Sequence, residues 1–321
     1  MKRGLITWDR AELSPSVVEA RLAAVRAALA ERGLPALVVH TDVWRSNQAR
    51  FLANYMPYWN RSLLVVAQDS APVLLCGLSP RVYPWIRSVT VLDEIRPAPK
   101  LFQALAQLCA ERHWKKVAVL DLARLPHEIH APLAGAEFAV CDLPFADIFA
   151  SAADDGESRM RSAAAGLARR ILEEHLAQGA GTVGHRFVAR LELAYRRAGA
   201  EDLLVLLGHG ESTPRASSGA VLGRQYSVAV ALEYRGHWVK VTRAQAPIEV
   251  QRALHDQFVA ALGDRRGDVE VLSGPYPYEC CAYGAMAPEA IFALHVDSRF
   301  GGQRLFYGDT CRHDPGGAKL L

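Results

Sequence analysis

The sequence predicts an α/β unit followed by an α+β unit. Three observations lead there. In the first half, apolar strand-length runs alternate with helix-period segments. In the second, long amphipathic helices are followed by strands that read as antiparallel hairpins. Half of the 321 residues are apolar, enough to bury two modest cores.

In the first half, residues 16–32 (SVVEARLAAVRAALAER) repeat apolar positions at helical spacing, with Gly33 as a stop signal and Pro35 beyond it. ALVVH (36–40) is a β-rich run. After a polar stretch, SLLVVAQ (62–68) and PVLLCG (72–77) read as neighbouring strands. KLFQALAQLCAERH (100–113) is a helix leading into the buried strand KKVAVLDL (115–122). This unit is expected over residues 1–153, ending near Asp154-Asp155.

The second unit, 154–321, opens on two helices that stop at glycines, 156–179 and 185–199. DLLVLLG (202–208) is a strand, and residues 226–244 form a hairpin turning near Arg235-Gly236. A third helix covers 247–263, with Pro247 suited to its first turn. The end, residues 290–321, is strand-like with glycine turns.

Composition excludes several function classes. Charged residues make up 22%, interspersed, with a net charge of +3, so no basic stripe for nucleic acid exists. No apolar run is long enough to span a bilayer, and the start lacks a secretory signal, so a cytoplasmic location is expected. The six cysteines form neither a zinc ladder nor a disulfide framework.

Four segments together resemble the creatinase/aminopeptidase P (Xaa-Pro dipeptidase) family: ESRMRSAAAGLARRI (157–171), LEYRGHWVKVTRA (232–244), EVQRALHDQFVAAL (249–262) and residues 286–321. The resemblance implies a creatinase-like N-terminal domain, a shortened "pita-bread" C-terminal domain and a homodimer. It also implies a dinuclear metal site built from two aspartates, a histidine and two glutamates, because two adjacent cations need several carboxylates. By that resemblance the aspartates fall at Ala229 and Lys240 and the glutamates at His295 and Gly308. The ligand histidine has no counterpart between Gln257 and Leu294, and no aspartate occurs from 203 to 255. The expectation is therefore a chain with no metal and no other cofactor.

Two functions are expected from this pattern. One is a metal-independent enzyme acting on a small, anionic, nitrogen-containing metabolite by C–N bond hydrolysis. The other is a non-catalytic pseudo-peptidase that binds or regulates. The catalytic candidates are His209, Lys240, His295 and Glu279. His209 lies on the glycine-rich loop 208–222, as a general base or as a loop histidine bonded to backbone. Lys240 either makes the cavity cationic for an anionic ligand, reaches a carboxylate such as Glu279, or extends to solvent. The candidates for substrate binding are Arg61, Arg215, Trp238, Tyr278 and Asp309. Arg61 matches an arginine that in creatinase enters the partner subunit's pocket, or is an ordinary surface arginine. Strand alternation puts Trp238 with Lys240 and turns Arg243 the other way. Tyr55, Tyr58 and Trp59 suit a dimer contact or pocket lid. Cys280 and Cys281 are either buried or, beside a cation, a nucleophile. His127, His130 and His313 are read as structural or solvated.

Overall fold

The structure is a computed structural model. It describes residues 7–133, 135–149, 153–264, 268–272, 279–282, 286, 288–314 and 316–321, with backbone only for 268 and 279–282. The chain divides into two compact units, Lys2–Ala150 and Ser151–Leu321.

In the N-terminal unit, helix α1 (Pro15–Glu31) starts with proline at its first position, where the missing N–H costs nothing. It ends at Gly33, whose positive φ lets Leu34 N–H bond back to the Leu29 carbonyl. Strands β1 (Ala36–Asp42), β2 (Arg61–Ala67), β3 (Val73–Cys76), β4 (Glu94–Pro97), β5 (Lys116–Leu120) and β6 (Ala139–Leu143) form one sheet in the order β4-β3-β2-β1-β5-β6. The expected neighbours β2 and β3 pair antiparallel, whereas β1–β5 and β5–β6 are parallel. Helices α2 (Asn47–Ala53), α3 (Tyr83–Val89), α4 (Leu101–Glu111), α5 (His127–Leu133) and α6 (Phe145–Ile148) complete the unit. Helix α4 packs Leu105, Leu108 and Cys109 onto Val38, Val65 and Val119 of the sheet. The aromatic loop differs from expectation. Tyr55 is fully buried with its hydroxyl on Ser62, while Trp59 is exposed and stacks on Tyr58.

The C-terminal unit opens with α7 (Asp155–His175), capped by the Asp154 carboxylate accepting from Glu157 N–H at 2.7 Å. The expected helix to residue 179 ends in a single 3-10 turn, Leu176–Gly179. Helix α8 (Gly184–Arg197) follows, and α9 (Ile248–Asp264) comes later. Strands β7 (Asp202–Gly208), β8 (Tyr226–Tyr234), β9 (His237–Gln245), β10 (Asp268–Val271), β11 (Glu279–Ala282), β12 (Ile291–Phe300) and β13 (Gln303–Asp314) run β11-β10-β12-β13-β9-β8-β7, and β14 (Gly317–Leu320) pairs with β13. Strands β8 and β9 turn at Arg235 and Gly236, both at positive φ, which matches the right-handed twist of a two-residue hairpin.

Alternation along these strands sorts the two faces. Val228, Val230, Leu232, Val239 and Val241 pack with Ala164, Ala168, Phe187 and Leu191 of α7 and α8 in one core. Residues 229, 231, 240 and 242 therefore face away from the helices. Among the described residues no helix is long and apolar enough to cross a membrane.

Candidate functional site

Register across the antiparallel strands builds the helix-free face in two rows. One row runs Ala229, Thr242, Gly308, His295. The next runs Ala231, Lys240 on β8 and β9, then Thr310, Ala293, Glu270 on β13, β12 and β10. All four positions to which the family resemblance assigns carboxylates thus fall on this face, within one row of each other.

In the second row, Lys240 and Glu270 reach toward each other over two short side chains. Lys240 Nζ lies 2.5 and 2.7 Å from the two carboxylate oxygens of Glu270. The side chains are 19% and 24% exposed, so solvent screens the pair only partly. The backbone of Lys240 is held too. Thr310 Oγ1 accepts from its N–H and donates to its carbonyl, both at 2.9 Å. A side chain here substitutes for the β9–β13 ladder, whose one registered pair is Thr242 with Gly308. Thr242 and Gly308 belong to the first row.

In that row, His295 Nδ1 lies 3.2 Å from Thr242 Oγ1. The ring sits over Gly308: a Cβ there would come within 2.2 Å of Nδ1 and 2.7 Å of the Leu294 carbonyl oxygen. Glycine at 308 is therefore the seat of the imidazole. Burial, and secondarily the charge of Lys240, lowers the His295 pKa to about 3. Its Nε2 is buried with no hydrogen-bond partner among the described residues. The ring is neutral at physiological pH.

The opposite face fixes this floor. Arg243, buried among the helices as alternation requires, donates through Nη1 to the carbonyls of Thr242 (3.0 Å) and Gly308 (2.8 Å), the two residues beneath His295. Its Nη2 bonds Asp309 at 2.8 Å and its Nε bonds Glu173 at 3.1 Å. Arg169 holds the other Asp309 oxygen at 2.8 Å.

Several sequence expectations are corrected by this geometry. Asp309 has no exposure and is gripped by two arginines on the helix side, so it does not face a substrate beside Lys240. Among the described residues Lys240 pairs with Glu270, and its expected contact with the Glu279 side chain lies outside them. The expected Glu279 lies one register position away, its backbone paired with Val271, and its side chain is outside the described residues. Tyr278 and the side chains of Cys280 and Cys281 also lie outside them. Arg215 is exposed and bridges Leu207 at the outer edge of β7, on the side of Leu207 and the helices, away from the Lys240 row. His209 follows β7 directly, and its carbonyl accepts from Ser212 Oγ at 2.9 Å, a loop-building contact. Trp238 shares the face of Lys240 and is half-buried. Arg61 opens β2 in the N-terminal unit and pairs with Glu128 of α5.

Sequence reasoning missed Glu270, Thr242 and Thr310. Glu270 left a trace: in DVEV it is a charge at an alternate position of an apolar strand.

A dinuclear metal centre, which the resemblance implies for the fold, does not fit these residues. Positions 229, 240, 295 and 308 supply one imidazole and one ammonium, and Glu270, the carboxylate that reaches them among the described residues, is bound to the ammonium. Among the described residues no group of three or more histidine, cysteine, aspartate or glutamate side chains could hold a metal ion. A lysine cation a few ångströms from a divalent ion would cost several kcal/mol at an effective dielectric of ~20.

Comparison of the whole chain with solved structures returns peptidases at low sequence identity. An Xaa-Pro dipeptidase from Bacillus anthracis superposes with a TM-score of 0.76 at 14% identity, covering 94% of this chain and 97% of that one. A dipeptidase from Mycobacterium ulcerans gives 0.69 at 19% identity, covering 96% of each chain. Proline aminopeptidase P II from Yersinia pestis gives 0.69 at 13% identity, again covering 96% of each. No protein-family model and no curated protein sequence matches the chain. The fold is therefore the creatinase/aminopeptidase P fold, an α/β unit followed by a pita-bread unit, here carrying a lysine paired with Glu270 and a buried histidine at two of the positions where the resemblance expects metal-binding carboxylates.

Proposed function

We propose that this chain is a non-catalytic pseudo-peptidase, a binding protein that takes a small polar ligand on the helix-free face of its C-terminal unit. The observation that carries this reading is the closed Lys240–Glu270 pair. An ammonium already neutralised by a carboxylate offers little net attraction to an anion, so the expected cationic cavity becomes a self-paired one. A zwitterionic ligand suits it best, with its carboxylate toward Lys240 and its ammonium toward Glu270. Catalysis is disfavoured because His295, with its pKa near 3, is too weak a base to take a proton from water at neutral pH.

A thermal-shift screen with amino acids, amides, guanidino compounds and small carboxylates tests the reading, because a bound ligand raises the midpoint by mass action. The expected result is a zwitterionic hit, abolished by Lys240→Ala and not turned over. Cleavage of Xaa-Pro dipeptides, with or without added manganese or cobalt, would contradict it.

A second reading is favoured by one observation, the His295 Nε2 beside Lys240 with no hydrogen-bond partner among the described residues. It is a metal-independent hydrolase that breaks a C–N bond in a small, anionic, nitrogen-containing metabolite. Turnover of a screened ligand by chelator-treated protein, lost in His295→Gln, would select it. Either reading includes a homodimer, from the family resemblance; a monomer mass by light scattering would contradict that part.

A further inference from the structure

On the other face of the same unit, a cavity of about 430 Å³ opens between α7, the first turns of α9 and the end of β9. We propose that it is a second ligand site, for a small organic carboxylate with an apolar body, separate from the Lys240–His295 face. The volume lies in the range of small-molecule pockets.

Two groups on its wall define the chemistry. Arg243 contributes a guanidinium whose side chain is only 9% exposed and lies 4.5 Å over the Tyr307 ring. Four of its five N–H groups meet acceptors: Glu173, the carbonyls of Thr242 and Gly308, and Asp309. One Nη2 proton therefore has no acceptor among the described residues. The second group is Glu173. Its side chain is 55% exposed and its carboxylate accepts from Arg243 Nε at 3.1 Å, while Asp309 on the same guanidinium has no exposure. The two carboxylates are thus unequal. Asp309 is locked in the core, whereas Glu173 is a solvated side chain that an incoming carboxylate can replace with no change in charge at Arg243.

The rest of the wall is mixed: Gln245, Gln251, Arg252, His255 and Asp256 are polar, and an apolar portion suits the body of the ligand. Leu176, Leu254 and the Tyr307 ring line the cavity, together with Ile248, which is 59% exposed. A large apolar side chain left open beside a buried cation fits an amphiphilic anion better than an inorganic one.

Titration calorimetry with benzoate and its neutral isostere benzamide tests the site. Benzoate is expected to bind wild-type protein, with benzamide at least about tenfold weaker because a charge-assisted bond is lost. Glu173→Gln, which removes the competing carboxylate, is expected to tighten benzoate about two- to fivefold. Ala177→Phe, at an exposed position on the cavity wall, is expected to abolish binding while leaving the thermal midpoint unchanged. Ala177→Phe is used because changing Arg243 itself could unfold the chain. The proposal is overturned by equal affinity for the two probes, by weaker binding in Glu173→Gln, by undiminished binding in Ala177→Phe, or by no benzoate heat in either wild type or Glu173→Gln.

Discussion

His295 is a base buried in its neutral form, and that fixes how it links stability to pH. Its folded pKa of about 3 lies below the unfolded value of 6.5, so the unfolded chain binds the extra proton between those two values. The stabilisation from this residue is complete above pH 6.5 and is lost as pH falls toward 3. His40, lowered to about 4 mainly by burial, acts with the same sign in the N-terminal unit. Urea midpoints are expected to drop between pH 7.5 and pH 4.5. His295→Gln should shrink the loss in the C-terminal unit, by on the order of a few kcal/mol at most. An unchanged slope in that variant would contradict the assignment. Gly308 supplies a second test at this scale. With His295 Nδ1 and the Leu294 carbonyl in the way of any Cβ, Gly308→Ala is expected to destabilise by about 1–3 kcal/mol. Denaturant unfolding measures it. A neutral effect would mean that the imidazole does not sit where described.

Strand register, which is a property of elements, brings Lys240 and Glu270 together from β9 and β10 across β13 and β12. Because the pair is partly buried, removing one partner strands the other. Lys240→Met and Glu270→Gln should each cost about 1–3 kcal/mol. The double variant should cost less than their sum, with a coupling of about 1–2 kcal/mol in chemical denaturation. Additive costs would mean that the two side chains do not interact in solution. The hairpin β8–β9 sets this geometry, and it was the most legible element in the sequence. An apolar run before Arg235-Gly236 and the alternation of Val239, Lys240, Val241 and Thr242 after it mark the turn and the strands, and strand alternation separates Lys240 and Arg243 onto opposite faces. Short elements were hidden. Helix α2 has seven residues inside a polar stretch, and β4 has four, one of them proline, so neither shows a period.

For the whole molecule, the order of helices and strands was readable because each long element carries its own period and stop signal. The site was readable only in part. Positions 229, 240, 295 and 308 converge because they share strand parity, a local property. What meets them is not local. Glu270 comes from a strand four residues long, Thr310 replaces a ladder bond, and Asp309 is turned inward by Arg169 from a helix 140 residues earlier in sequence. None of these follows from spacing. The absence of Asp from 203 to 255 is nevertheless legible in the sequence alone and argues against a dinuclear metal centre.

That argument rests on charge: among the described residues this face holds an ammonium, its bound carboxylate and a neutral imidazole, a set that does not suit two divalent cations. Calorimetric titration of chelator-treated protein with manganese and then cobalt measures this directly. The account predicts no saturable heat and no metal retained after dialysis. Stoichiometric binding of two ions per chain, lost when Glu270 is changed to Gln, would contradict it.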